Sequence, residues 1–116
     1  MLSDKQISDY FEQGYLLVEN VITDAQLKTL QNITYDFIEA SKPVTESNDI
    51  YDLDVGHTAE NPKLTRIKLP HKQHAYFDEI LRNSGVTEVL RDLLGDDATL
   101  ITSKLNTKAP GGGAAV

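Results

Sequence analysis

Basic side chains, with one amide among them, recur at two-residue spacing in two separate stretches of this chain. Arg66 and Lys68 form one set; Lys104, Asn106 and Lys108 form the other. Alternate residues of an extended strand share a face, so each set would line one side of a sheet. In the second stretch Leu100 and Thr102 extend that face, while Thr99, Ile101, Ser103, Leu105 and Thr107 lie on the opposite one. Cations placed this way either stand in water on a solvated face or form a cavity wall that meets an anionic ligand. From pattern alone the solvated face is the favoured reading for both stretches.

The remaining reactive residues form no recognised constellation. His71 and His74 stand three apart, which can put two imidazoles on one helix face, but no third His or Cys stands at a partner spacing. A surface or capping role suits them better than a metal site. His57 follows Gly56 without a motif partner. Glu46, Asp49, Asp52 and Asp54 lack the spacing, glycine and terminal glutamate of a calcium loop, and read as a solvated loop. Gly111 to Gly113 are not followed by the Lys-Ser/Thr of a phosphate loop. With no cysteine, a disulfide framework and a thiolate metal site are excluded.

Bulk properties narrow the partners. The chain has 116 residues, one domain's worth, with 40% hydrophobic residues and a net charge of −7. An acidic chain of this kind is a poor match for nucleic acid, whose phosphates need a basic face, and for anionic lipid. No apolar run is long enough to span a membrane. Met1-Leu2-Ser3-Asp4-Lys5 opens without the apolar core of a secretory leader, so the cytoplasm is the expected location. The sequon at Asn32 falls within a predicted helix and is read as chance.

The elements that must position these residues are legible from caps and periodicity. Ser3-Asp4-Lys5-Gln6 and Thr23-Asp24-Ala25-Gln26 both have capping-box form. The first predicts a helix presenting Ile7, Tyr10 and Phe11 and ending at Gly14. The second predicts a helix with Leu27, Leu30, Phe37 and Ile38 on one stripe, ending after Ala40 and before Pro43. Between them, Tyr15-Leu16-Leu17-Val18 reads as a short strand covered on both faces. Residues 41–62 read as a long acidic loop. Leu64 to Leu69 is predicted as a strand with imperfect alternation, bounded by Pro62 and Pro70. Tyr76, Phe77, Ile80 and Leu81 have helical spacing. Ser84 then caps a fourth helix carrying Val86, Val89, Leu90, Leu93 and Leu94, which Gly95 terminates. The last predicted strand runs from Thr99 to Lys108 and leads into Pro110-Gly111-Gly112-Gly113, a turn signal.

That turn is followed only by Ala114, Ala115 and Val116. Turns join elements, and three separated strands leave unpaired edges that natural domains avoid. The expectation is an α+β chain, residues 1–116, that forms the front part of one larger domain. Self-association through the exposed strand edges is a further expectation.

Several stretches, in this order, resemble the N-terminal portion of phytanoyl-CoA dioxygenase-like proteins, which are Fe(II)- and 2-oxoglutarate-dependent oxygenases. They are Leu2 to Ile7, Tyr10 to Val18 with its Gly14-Tyr15 step, Thr23 to Leu27, Phe77 to Arg82, Val89 to Gly95, and Ser103 to Gly113. The resemblance implies a double-stranded β-helix (jelly-roll) fold, present here as its N-terminal helices and first strands and truncated before the metal-binding motif. It implies that the complete protein binds Fe(II) and 2-oxoglutarate and hydroxylates a small-molecule substrate. The His-x-Asp, the distant second His and the Arg that such proteins use would lie beyond Val116, so no cofactor is expected for this chain alone. Carried over by position, Arg66 and Lys104 would border 2-oxoglutarate, with Asn106 a third cosubstrate-binding candidate. Lys104 departs from the Gln often found there. The alternative reading is a stand-alone acidic α+β binding module without catalysis.

Overall fold

A computed structural model describes residues 1–112; Gly113 to Val116, including the end of the expected glycine turn, lie outside the described residues. Two reciprocal caps set the first helices. Gln6 N–H donates to Ser3 Oγ while Ser3 N–H donates to Gln6 Oε1, opening α1 (Asp4–Gln13). Thr23 and Gln26 do the same for α2 (Asp24–Ala40). Each box satisfies backbone donors that the first helical turn leaves without partners. Gly14 closes α1 in the left-handed conformation, at φ 84°.

After α2 come β1 (Tyr51–Leu53), β2 (Leu64–Lys68), α3 (Pro70–Gln73), α4 (Ala75–Arg82), α5 (Gly85–Leu94) and β3 (Lys104–Asn106). The strands form one antiparallel sheet in the order β1-β2-β3. Its register sets Tyr51 opposite Ile67 and Ile67 opposite Leu105. This apolar row, with Leu64, packs against Phe37 and Ile38 of α2 and makes the core. The Tyr51 hydroxyl donates to the Phe37 carbonyl at 2.6 Å, tying the sheet to the helix. A helical group of α3, α4 and α5 adjoins it, and α4 also touches α2. Leu2 is buried, and its N–H donates to Asp92 at 2.7 Å, which pins the N-terminus to α5.

The imperfect alternation of β2 has a structural cause. The pairing Asp52↔Arg66 is followed by Leu53↔Leu64, so Thr65 is an extra, unmatched residue. Such a bulge breaks the two-residue repeat. Leu64 and Ile67, three apart, can therefore both enter the core.

Four expectations are corrected. Residues 15–18 are not a strand and are not covered: Tyr15 is 68% exposed and Leu17 79%. Among the described residues no strand lies beside them to complete a ladder. The 41–62 segment contains β1, seeded where Asn48 Oδ1 accepts from the N–H groups of Ile50 and Tyr51. The last strand shrinks from 99–108 to Lys104–Asn106. Its partner ends because Leu69, at φ 46°, turns the chain into Pro70 and α3, leaving residues 99–103 little to pair with. The strands, finally, are not separated from one another, though β1 and β3 have outer edges that the described residues leave unpaired.

Apolar burial is sparse. None of the residues of α1, α2 or α5 is fully buried, and Phe11, Leu90 and Leu94 remain exposed despite their apolar stripes. The radius of gyration is 16.7 Å, against about 13 Å for a close-packed domain of this length.

Burial pushes the Tyr51 phenol above its ordinary value of 10.0. The neutral phenol is favoured in the folded state, so its contribution is intact below about pH 10 and is lost as pH rises past that value. Thermal stability is expected to fall above about pH 10, and to fall less steeply in Tyr51→Phe. Melts followed by circular dichroism across pH 8–11.5 test this; parallel slopes for the two proteins would refute it.

Candidate functional site

The face of the sheet opposite the core carries the charge. Arg66 sits between Asp52 of β1 and Asn106 of β3, and Lys68 lies directly opposite Lys104. Arg66 donates from Nη1 to Asp52 Oδ2 at 3.3 Å and from Nε to Asn106 Oδ1 at 3.2 Å. Lys68 Nζ reaches Asp52 Oδ1 at 3.0 Å and the Asn48 carbonyl at 2.8 Å. Asp52 thus bridges two cations in a half-buried network, with side-chain exposures of 27% to 35%.

Past Lys68 the sheet opens into a groove of about 430 Å³, lined by Arg66, Lys68 and Lys104 together with Asp49, Thr102 and Ser103. Leu69 forms part of its wall, where the left-handed backbone turns away from the sheet and its N–H donates to the Ser103 carbonyl. His71 Nδ1 contacts Ser103 Oγ and braces this wall from α3. The Lys104 side chain makes no hydrogen bond or ion pair with the other described residues. Like charges directly opposed across a ladder are unfavourable, so the Lys68–Lys104 rung favours an anion. Three cations and two hydroxyl-bearing side chains against two carboxylates make a donor set suited to a carboxylate ligand.

A second pocket, about 360 Å³, lies between α4, α5 and Leu100. Its two guanidinium groups are already paired, Arg82 with Asp78 and Arg91 with Asp96. It offers apolar surface and no uncommitted charge, so the sheet groove is the candidate site.

Of the residues expected from sequence, Arg66 and Lys104 reach the groove. Asn106 contacts Arg66 and is not part of the groove lining. The solvated-loop reading of Asp52 is corrected: it is a strand residue at the centre of the charge network. Its only sequence signal was the apolar-polar-apolar step Tyr51-Asp52-Leu53. His71 and His74 do not face one another's ligand: His74 Nδ1 accepts the Tyr76 N–H and caps α4, while His71 turns to Ser103. His57 is a loop clamp, with Nδ1 accepting from Lys63 N–H and Nε2 donating to the buried Ser41 carbonyl. Among the described residues, no three His, Asp or Glu side chains converge as a metal site; iron has no fit to them. No described helix is long and apolar enough to cross a membrane.

The family model described as Phytanoyl-CoA dioxygenase (PhyH) matches residues 10–116. The Stutzerimonas stutzeri protein named "Probable alpha-ketoglutarate-dependent hypophosphite dioxygenase" is 23% identical over 108 residues, covering 93% of this chain. The chain spans 38% of that relative's length. No solved structure matches.

Proposed function

Because the chain belongs to the phytanoyl-CoA dioxygenase (PhyH) family, we propose that it is the N-terminal portion of an Fe(II)- and 2-oxoglutarate-dependent oxygenase, and that its sheet groove receives 2-oxoglutarate. The observation that carries this is the unpaired Lys104 opposed to Lys68 on a groove wall. Lys104 is the direct contact, Arg66 shapes the wall, and Asn106 holds Arg66. In the complete protein the cosubstrate would be consumed while a small organic substrate is hydroxylated. The iron and its ligands belong to the part of the domain that follows, so this chain contributes binding and orientation.

The partial-domain reading accounts for features that a finished domain would not leave. Among the described residues three helices have no buried residue, the sheet has two edges without a partner strand, and the chain is extended. The remaining strands of a jelly roll would cover those faces and edges. Self-association of the isolated chain through the same edges follows from their exposure. A cytoplasmic location fits the absence of cysteine.

The test is titration of 2-oxoglutarate into the longer, iron-loaded protein by calorimetry. Lys104→Ala is expected to weaken binding roughly tenfold, the value of one charge-assisted hydrogen bond. Arg66→Ala is expected to have a smaller effect, because Asp52 already occupies part of its fork. Unchanged affinity in both variants would remove the groove from the site.

A further inference from the structure

The three cations of the groove are not equivalent. Asp52 holds Arg66 at 3.3 Å and Lys68 at 3.0 Å with separate carboxylate oxygens. Lys104, on the same face and directly opposite Lys68, has no such partner among the described residues. With Asp52 and Asp49 counted against Arg66, Lys68 and Lys104, the groove keeps one net positive charge. That charge sits on Lys104, the groove cation without a side-chain partner among the described residues.

We propose that Asp52 is a specificity-determining residue: as a built-in counter-anion it reserves Arg66 and Lys68, so that the groove takes a single carboxylate on Lys104 and discriminates against phosphate. 2-Oxoglutarate is a dianion, but only one of its carboxylates, the near end, meets the single open charge; the other is four carbon–carbon bonds away. A phosphate near neutral pH carries up to two charges and three strong acceptor oxygens. It would need the Arg66 fork, which is the group best shaped for it, and Asp52 already fills part of that fork. The proposal rests on reading the groove as a carboxylate site, and it adds which cation is free and which residue sets the preference.

The test uses the longer protein, with 2-oxoglutarate and inorganic phosphate as probes. Titration of each at low ionic strength, followed through the amide signals of Ser103 and Lys104, is expected to rank 2-oxoglutarate above phosphate. Asp52→Asn adds one positive charge and releases both cations. Phosphate binding is expected to strengthen roughly tenfold, narrowing or reversing the order, whereas Asp52→Glu keeps the original ranking. Should Asp52→Asn disturb the fold, Lys104→Gln is an independent arm. Located on an exposed strand position, it is expected to weaken 2-oxoglutarate binding roughly tenfold even though Arg66 and Lys68 remain. An unchanged ranking in Asp52→Asn, or full 2-oxoglutarate binding in Lys104→Gln, would overturn the role of Asp52. If neither anion moves those amides in the unmodified chain, the carboxylate reading of the groove itself is refuted.

Discussion

Ile67→Ala is expected to leave the chain largely unfolded at room temperature. Ile67 is 0% exposed and stands where the two strand pairings meet, opposite Tyr51 on one side and Leu105 on the other. Removing its outer carbons costs about 2–5 kcal/mol, from lost transfer energy and the cavity left behind. Domains have about 5–15 kcal/mol to lose, and this one has a small reserve. Among the described residues its buried apolar side chains are Leu2, Tyr51, Leu64, Ile67 and Ile80, and of these only Ile67 is fully buried. Collapse of the neighbours into the space is restricted because the bulge at Thr65 and the Tyr51–Phe37 hydrogen bond hold the walls apart. Loss of a cooperative thermal transition by circular dichroism is the expected readout. Ile101→Ala, at a side chain 91% exposed, should change stability by less than about 0.5 kcal/mol. A melt of Ile67→Ala within a few degrees of the parent would show that the core lies elsewhere.

Gly85→Ala sets two physical effects against each other, and packing is expected to win. Alanine is favoured over glycine inside a helix by about 1 kcal/mol, and Gly85 is the first residue of α5. On propensity alone the change would stabilise. A Cβ at that position, however, would lie 2.3 Å from the Val21 carbonyl oxygen and 3.2 Å from its carbon. The obstacle is backbone, so no side chain can rotate out of the way. Relief requires α5 to move off the segment that leads into α2, at a cost of about 1–3 kcal/mol. The urea midpoint should fall accordingly. A rise would mean that α5 and the residue 21 backbone are farther apart than the structure places them. Gly14 makes a useful contrast, because it is needed for its positive φ and meets no neighbouring atom.

These two positions also show where sequence reading works and where it stops. Ile67 belongs to an apolar–polar stretch between prolines, and its strand was legible. Its centrality was not, because that depends on Tyr51 and Leu105, neither of which is near it in the chain. Gly85 carries no sequence signal at all beyond following the Ser84 cap; its requirement comes from a backbone 64 residues away, a separation read directly from the numbering. The strand expected at 15–18 failed for the same reason. Its apolar run is real, but strand formation needs a partner edge, and none of the described residues supplies one. In the reverse direction, β1 was hidden in an acidic loop because three residues are too few to show a period.

The candidate site divides along the same line. Two-residue spacing marked Arg66 with Lys68, and Lys104 with Asn106, as sharing a face of their own strand before any pairing was known; the pairing put both sets on one face of the sheet. Which of them is free was decided by the antiparallel register, which brings Asp52 to Arg66 and Lys68 and leaves Lys104 exposed.

By itself, the amino-acid sequence determined the start of α1, α2 and α5, the ends of α1 and α5, and the family. Caps are satisfied within three or four residues, and motif order survives without any knowledge of contacts. Tertiary structure alone decided the sheet order, the bulge, the glycine contact at 85 and the partner of each cation. Those depend on groups brought together from distant parts of the chain, whose meeting no local pattern encodes.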